Sequence, residues 1–179
     1  IETIYSKTLK LEHLVNDLFL LSKLETNQLS FDFMIIECRE LADGLLRNHS
    51  IDVTSLNRAL KVRVDAKSLE DVRVVADEVR IDQVFTNILS NAIKYSPADS
   101  PIAIEISANL KKQQFHFAIS DKGPGIPKEE QGQIFDRFHR RSVGHRVDVQ
   151  TDFSTGLGLT ICREIVDAHG GEIYVKSSL

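Results

Sequence analysis

The sequence predicts an α+β fold: a two-layer α/β sandwich with a mixed sheet covered on one face by helices, preceded by a long N-terminal helix. Three observations predict it. Residues 4–25 hold neither glycine nor proline and repeat apolar side chains at steps of three and four. From Phe31 onward, short alternating or β-branched stretches are interleaved with strongly helical ones. Two of the alternating stretches, Ile102–Ala108 and Phe115–Ser120, are joined by the polar turn Lys111–Gln114, so hairpins occur and a doubly wound parallel sheet is disfavoured.

In order, Ile4, Lys7, Leu11, Leu14, Leu18 and Leu21 form a coiled-coil-like seam with one polar position. Val15, Leu20 and Leu24 widen it beyond two strands, which suits a bundle of helices, and a helix packed on its own domain fits the same pattern. Thr26–Ser30 is a polar joint. Phe31–Ile36 reads as a short strand, Leu41–Leu56 as a helix, and Leu60–Val64 and Val72–Val75 as strands. A helix follows from Asp77 to Tyr95, ended by Ser96-Pro97 because proline cannot continue it. After the hairpin, Gly123–Gly132 is a glycine- and proline-rich loop and His139–Ser154 a polar, basic stretch without periodicity. A last helix runs from Thr155 to His169, stopped by Gly170-Gly171, and Ile173–Val175 begins a strand.

The 179 residues are enough for one globular domain plus an appendage. With 42% hydrophobic and 27% charged residues the chain is neither disordered nor collagen-like, and its net charge of −4 argues against a nucleic-acid partner. Cys38 and Cys162 lie far apart and in no metal-ligand spacing, which fits a reducing, cytoplasmic compartment. No apolar run reaches a membrane span. The chain starts at Ile1 and reads as a piece of a longer protein, whose membrane anchor, if it has one, lies elsewhere.

Within the Asp77–Tyr95 helix, Ile81, Phe85, Ile88, Leu89 and Ala92 share one face, and Asn87, Asn91, Lys94 and Tyr95 fall in an arc of about 100° beside it. Amide oxygens suit Mg²⁺, an ammonium suits phosphate, and a phenol suits a base or ribose. A solvated polar edge would look the same. Asp121-Lys122-Gly123-Pro124-Gly125-Ile126-Pro127 follows a strand directly, so a buried carboxylate there would accept from an exocyclic amine while the glycines bring backbone close to a ligand; a capped turn is the plainer alternative. Thr155-Gly156-Leu157-Gly158-Leu159 opens the last helix, where small residues let phosphate approach backbone N–H groups, or simply loosen the loop.

Taken in order, Asn87-x-x-x-Asn91, Asp121-x-Gly123-x-Gly125, Ile134-Phe135-Asp136-Arg137-Phe138 and Gly156-Leu157-Gly158-Leu159 resemble the N box, first glycine box, F box and second glycine box of sensor histidine kinase catalytic domains. Those domains have the Bergerat (GHKL) fold, shared with gyrase B and MutL, and the resemblance covers nearly the whole chain. It implies ATP and Mg²⁺ as cofactors. Asn91 would hold Mg²⁺ with Asn87 in support, Lys94 would contact phosphate and Tyr95 would lie over the nucleotide. Asp121 would bind the adenine amine, with Gly123, Gly125 and Ile126 shaping its pocket. Gly156 and Gly158 would hinge a lid of about residues 139–155 and expose N–H groups to phosphate, with Thr155, Leu157 and Leu159 also binding the nucleotide. Asn87, with Arg140 first and Arg137 second, would serve transfer of the γ-phosphoryl.

The same resemblance divides the chain at residues 1–27, the second helix of a dimerisation and phosphotransfer hairpin, and 28–179, the catalytic domain. It implies a histidine on an acceptor helix, a response regulator receiver domain and a homodimeric parent as partners. Gyrase-like ATPases carry Glu at the position of Asn87 as general base, and Asn takes no proton at neutral pH, which favours a kinase over a hydrolase. A nucleotide-binding scaffold is the remaining alternative. Departures from the family pattern are the missing acceptor motif, since His13, His49, His116, His139, His145 and His169 all lack its context, Ser154 in place of a glycine, and the absent final strand, which would leave a sheet edge exposed.

Overall fold

The computed structural model describes residues 8, 11, 12, 15, 16, 18–23, 26, 28–55, 59–137 and 156–179, with 50–55 described by backbone alone. These divide into two compact units, one of residues 31–126 and 177–179, the other of residues 1–30 and 127–176.

The first unit holds the five strands found among the described residues: β1 (Met34–Glu37), β2 (Leu60–Val64), β3 (Arg73–Ala76), β4 (Ile102–Asn109) and β5 (Gln114–Ser120). It also holds helices α1 (Cys38–Ser55) and α2 (Glu78–Tyr95). β2 pairs parallel with β4, and β4 pairs antiparallel with β5, so this sheet is mixed. β1 and β3 form a separate antiparallel ladder with Ile35 opposite Val75. Along β4 the alternate residues Ile102, Ile104 and Ile106 are fully buried and Ala108 partly so, and the register sets Ile104 against Ile119 and Ile106 against Phe117. Leu41, Ala42 and Leu45 of α1 and Phe85, Leu89 and Ala92 of α2 complete that core. Glu105, His116 and Ala118 face outward, so the helices cover one face and water the other, the two layers expected.

α1 starts three residues before the expected Leu41, directly after β1, because the Cys38 N–H is taken by Val72 O at 2.9 Å. Burial pushes the Cys38 thiol above its ordinary value, so it stays protonated and inert at neutral pH. The start of α2 is set by Asp77. Its Oδ1 accepts the Arg80 N–H at 3.1 Å as an N-cap, and its Oδ2 accepts the Asp32 N–H at 2.9 Å, tying the helix to the segment before β1.

In the second unit the described N-terminal residues up to Lys23 are helical, and Thr26 closes the end with its Oγ1 donating to Ser22 O at 2.9 Å. Of the expected seam, Leu11 and Leu18 are exposed and Leu21 is buried, while Ile4, Lys7 and Leu14 lie outside the described residues. Residues 128–137 are turns, and α3 (Gly158–Ala168) buries Ile161, Cys162 and Ile165. It ends as expected, with Gly170 at φ +66° and the Gly171 N–H on Val166 O at 2.9 Å. The strand expected at Ile173–Val175 is not one: burial alternates there, but residues 171–179 carry no regular element. Alternation supplies a face, and a strand also needs a ladder partner.

Asp77→Ala removes a cap and leaves a buried acceptor site empty for Asp32, so we expect a loss of about 1–3 kcal/mol in unfolding free energy. Urea unfolding checks this, and an unchanged midpoint would contradict the role given to Asp77.

Candidate functional site

In the first unit, α2 is fixed in rotation by contacts on two sides. Val84, Phe85, Leu89 and Ala92 are buried. On one flank Asp82 Oδ1 lies 3.0 Å from His49 Nε2 and accepts from Asn48 Nδ2 at 3.1 Å, with the His49 ring tilted against Phe85 at 5.2 Å. That arrangement leaves the opposite flank to Asn87, Asn91, Lys94 and Tyr95. Asn87 and Asn91 are half-buried, and Lys94 and Tyr95 are exposed, with Lys94 Nζ 5.0 Å from the centre of the Tyr95 ring.

The end of α2 and the end of β5 are joined. The Ser96 N–H closes the helix on Ala92 O at 3.2 Å, and its buried hydroxyl accepts the Lys122 N–H at 3.3 Å. Next in the chain, the Gly123 N–H donates to Asp121 Oδ1 at 2.6 Å. A Cβ on Gly123 would come within 2.7 Å of that same oxygen and 3.0 Å of Tyr95 O, so only glycine permits both the turn and the approach to the helix end. The structure thus brings Asp121 beside Tyr95. Asp121 is exposed, not buried as expected, because β5 stops at Ser120 and the side chain folds over its own turn at the rim. An exposed carboxylate there remains open to a donor from outside the chain.

Gly125 and Ile126 are held by the C-terminal residues. Gly125 sits at φ +74° with its α-carbon against the Ser178 backbone, and the Ile126 N–H donates to Ser177 Oγ at 2.9 Å. Ser96 and Ser177 escaped the sequence reading. Ser96 was legible as a helix stop, and its second task of holding the Lys122 N–H depends on a contact 26 residues away.

In the second unit, Gly156 sits at φ +70° and Leu157, buried, precedes α3 with no side-chain cap. Gly158 and Leu159 open the helix, half-buried. Arg137 Nη2 lies 3.9 Å from Glu164 Oε1, Arg163 Nη1 lies 3.8 Å from Asp136 Oδ1, and the Arg163 guanidinium sits 4.6 Å from the centre of the buried Phe135 ring. Arg137 is therefore engaged with α3. Arg140, Thr155 and the expected lid of residues 139–155 fall outside the described residues, apart from which no helix among those described is long and apolar enough to cross a membrane.

Among the described residues no cluster of three or more His, Cys, Asp or Glu side chains could hold a metal. The α2 edge offers amide oxygens instead, a donor set that fits Mg²⁺ arriving with phosphate and water ligands of its own.

Gly123→Ala forces Asp121 and the Tyr95 carbonyl apart, and we expect it to lower stability by about 1–3 kcal/mol. Urea unfolding tests this, and a variant as stable as the parent would contradict the close approach.

A family model described as histidine kinase-, DNA gyrase B-, and HSP90-like ATPase matches residues 76–179. Sensor histidine kinase WalK of Bacillus subtilis is 33% identical over 175 residues, which is 96% of this chain and 27% of WalK. The chain therefore spans about a quarter of that relative's length. The nucleotide-free catalytic domain of histidine kinase ThkA superposes with a TM-score of 0.61 at 30% identity, over 80% of this chain and 88% of that one. ThkA in complex with response regulator protein TrrA gives a TM-score of 0.66 at 25% identity, over 96% of this chain and 44% of that one. With the match running from the start of α2 through the Asp121 turn to the end of α3, this chain belongs to the histidine kinase-, DNA gyrase B- and HSP90-like ATPase family.

Proposed function

We propose that the chain is the ATP-binding catalytic part of a two-component sensor histidine kinase. It transfers the γ-phosphoryl of Mg-ATP to a histidine on a dimerisation helix, from which the phosphoryl passes to an aspartate of a response regulator receiver domain. The observation that carries this reading is the pair Asn87 and Asn91, half-buried amides on an α2 edge whose rotation is fixed by the core and by His49. A side chain at position 87 that takes no proton leaves no general base for water, so the nucleotide is held for an acceptor. Relatives named as sensor histidine kinases support the same reading.

Magnesium bound with the triphosphate offsets charge on the phosphate oxygens and lowers the barrier to phosphoryl transfer. The residues act around it. The Asn91 amide oxygen ligates the metal and Asn87 supports that position. Lys94 contacts phosphate and Tyr95 lies over the nucleotide. Asp121, its Oδ1 already oriented by the Gly123 N–H, accepts from the adenine amine. In the second unit, Gly156, Leu157, Gly158 and Leu159 are assigned to phosphate by their place in the family pattern. Arg140 is assigned to transition-state charge by its place in the family pattern. Arg137 ranks behind it, since an arginine paired with Glu164 would first have to leave that pair.

Residues 1–27 are assigned to the second helix of the dimerisation hairpin, and residues 28–179 to the catalytic domain. The exposed Leu11, Val15, Leu18 and Phe19 agree with a helix that awaits neighbours in a homodimeric, cytoplasmic kinase region. Lacking an acceptor motif, the chain should not label itself.

Incubation with γ-labelled ATP, with and without a separate acceptor-helix fragment, tests the function. We expect label on the fragment only, and at least ~100-fold less of it with Asn91→Ala, the scale on which metal positioning contributes to transfer. Steady phosphate release near the ~10 per second of a median enzyme would contradict the kinase reading in favour of a hydrolase. Nucleotide binding with no transfer to any supplied acceptor would instead establish a scaffold.

A further inference from the structure

The loop from Asp121 to Pro127 carries no regular element, and Pro124 and Pro127 have no N–H to give. Its shape therefore depends on the N–H groups that remain and on what receives them. At the front, the Lys122 N–H goes to the Ser96 hydroxyl and the Gly123 N–H to Asp121 Oδ1. At the rear, the Ile126 N–H goes to Ser177 Oγ at 2.9 Å, from 51 residues further along the chain. Serine hydroxyls thus hold both ends, one from the end of α2 and one from the C-terminal segment. The flexible point, Gly125 at φ +74°, lies between them.

The rear contact is close as well as polar. A Cβ on Gly125 would overlap the Ser178 carbonyl, so the backbone of the loop packs directly on the backbone of the C-terminal segment. Ile126 and Ser177 are both half-buried, so water competes for their hydrogen bond less than it would at an exposed turn. Residues 171–179 carry no regular element, and the attachment to Ile126 is made by a side chain rather than by a strand ladder.

We propose that Ser177 is a positioning residue for the adenine end of the nucleotide: its hydroxyl fixes the Ile126 backbone, and through it the stretch of Gly125 and Ile126 that the base meets. The proposal rests on the nucleotide-binding reading above and deepens it with a residue that touches no ligand and acts through Ile126. A loop already held in place needs little ordering when the base enters, so loss of the hydroxyl weakens base binding by loosening the loop. The phosphates are assigned to other residues, Asn91 and Lys94 among them, and their binding does not depend on Ser177. That difference separates positioning from a general contribution to stability.

Calorimetry on the whole chain tests this with two probes, a non-hydrolysable adenine triphosphate and inorganic tripolyphosphate, each with magnesium. The variants are Ser177→Ala and Ser177→Thr, which keeps the hydroxyl. Ser177→Ala should bind the adenine nucleotide about fivefold more weakly, the worth of one hydrogen bond between uncharged groups, and tripolyphosphate as the parent does. Ser177→Thr should match the parent on both. Amide hydrogen exchange gives a second reading: faster at Ile126 in Ser177→Ala alone, and unchanged at the core residues Phe85 and Ile104. Unchanged nucleotide affinity or unchanged Ile126 exchange in Ser177→Ala, an equal loss for both probes, or no recovery in Ser177→Thr would each overturn the proposal. Faster exchange at Phe85 and Ile104 as well would make Ser177 a residue of overall stability and overturn it too. A parent chain that binds neither probe, or tripolyphosphate as tightly as the nucleotide, would overturn the adenine reading and the role of Ser177 with it, whereas an adenine preference kept in full by Ser177→Ala would overturn the role of Ser177 alone.

Discussion

The candidate site depends on one joint, where the last turn of α2 meets the end of β5. Two features close it: the Lys122 N–H on the buried Ser96 hydroxyl, and the approach of Gly123 to the Tyr95 carbonyl. Both ends are held from behind by one core that includes Ile102, Ile104 and Ile106 of β4 and Phe85, Leu89 and Ala92 of α2. Because the core fixes the helix and the sheet, the joint fixes what lies between them, a carboxylate at the strand end and an amide edge on the helix. Side chains oriented in this way before a ligand arrives need little further ordering to bind it, which is where preorganised sites gain affinity.

The same logic explains why α2 offers its amide edge on one flank only. Its apolar face is committed to the core and Asp82 to His49 and Asn48 on the far flank. A helix anchored along two of its three sides has one left for function. Capping at Asp77 fixes where it starts and Ser96-Pro97 where it stops, so neither the rotation nor the register of Asn87 and Asn91 is free to drift.

Much of this was legible in the sequence, and the reasons differ by element. β2, β4 and β5 announce themselves by alternation, and α2 by its period and its caps; the observed bounds differ from the expected ones by a residue at most. β1 was expected at Phe31–Ile36 and lies at Met34–Glu37, and α1 begins earlier than its apolar pattern suggests, because a long-range contact from Cys38 to Val72 O decides the boundary. At the site, the residues of the α2 edge and the Asp121 turn were identifiable by type and spacing. Their surroundings were not. The exposure of Asp121 and the packing of Gly125 on Ser178 both follow from where β5 ends and where the C-terminal residues pass, which no local pattern encodes. The engagement of Arg137 with Glu164 is likewise a property of the fold, since in the sequence Arg137 reads as a basic residue in a basic stretch.

The central proposal is that the joint presents Asp121 as a reader of an adenine amine beside the α2 edge proposed to hold the metal. Isothermal calorimetry of the chain with magnesium and non-hydrolysable adenine or guanine triphosphate tests it most directly. The account predicts a heat of association for the adenine nucleotide, a far weaker one for guanine, whose ring carries a carbonyl where adenine has its amine, and loss of that preference in Asp121→Asn. Equal heats for the two nucleotides in the unsubstituted chain, or none for either, would contradict it.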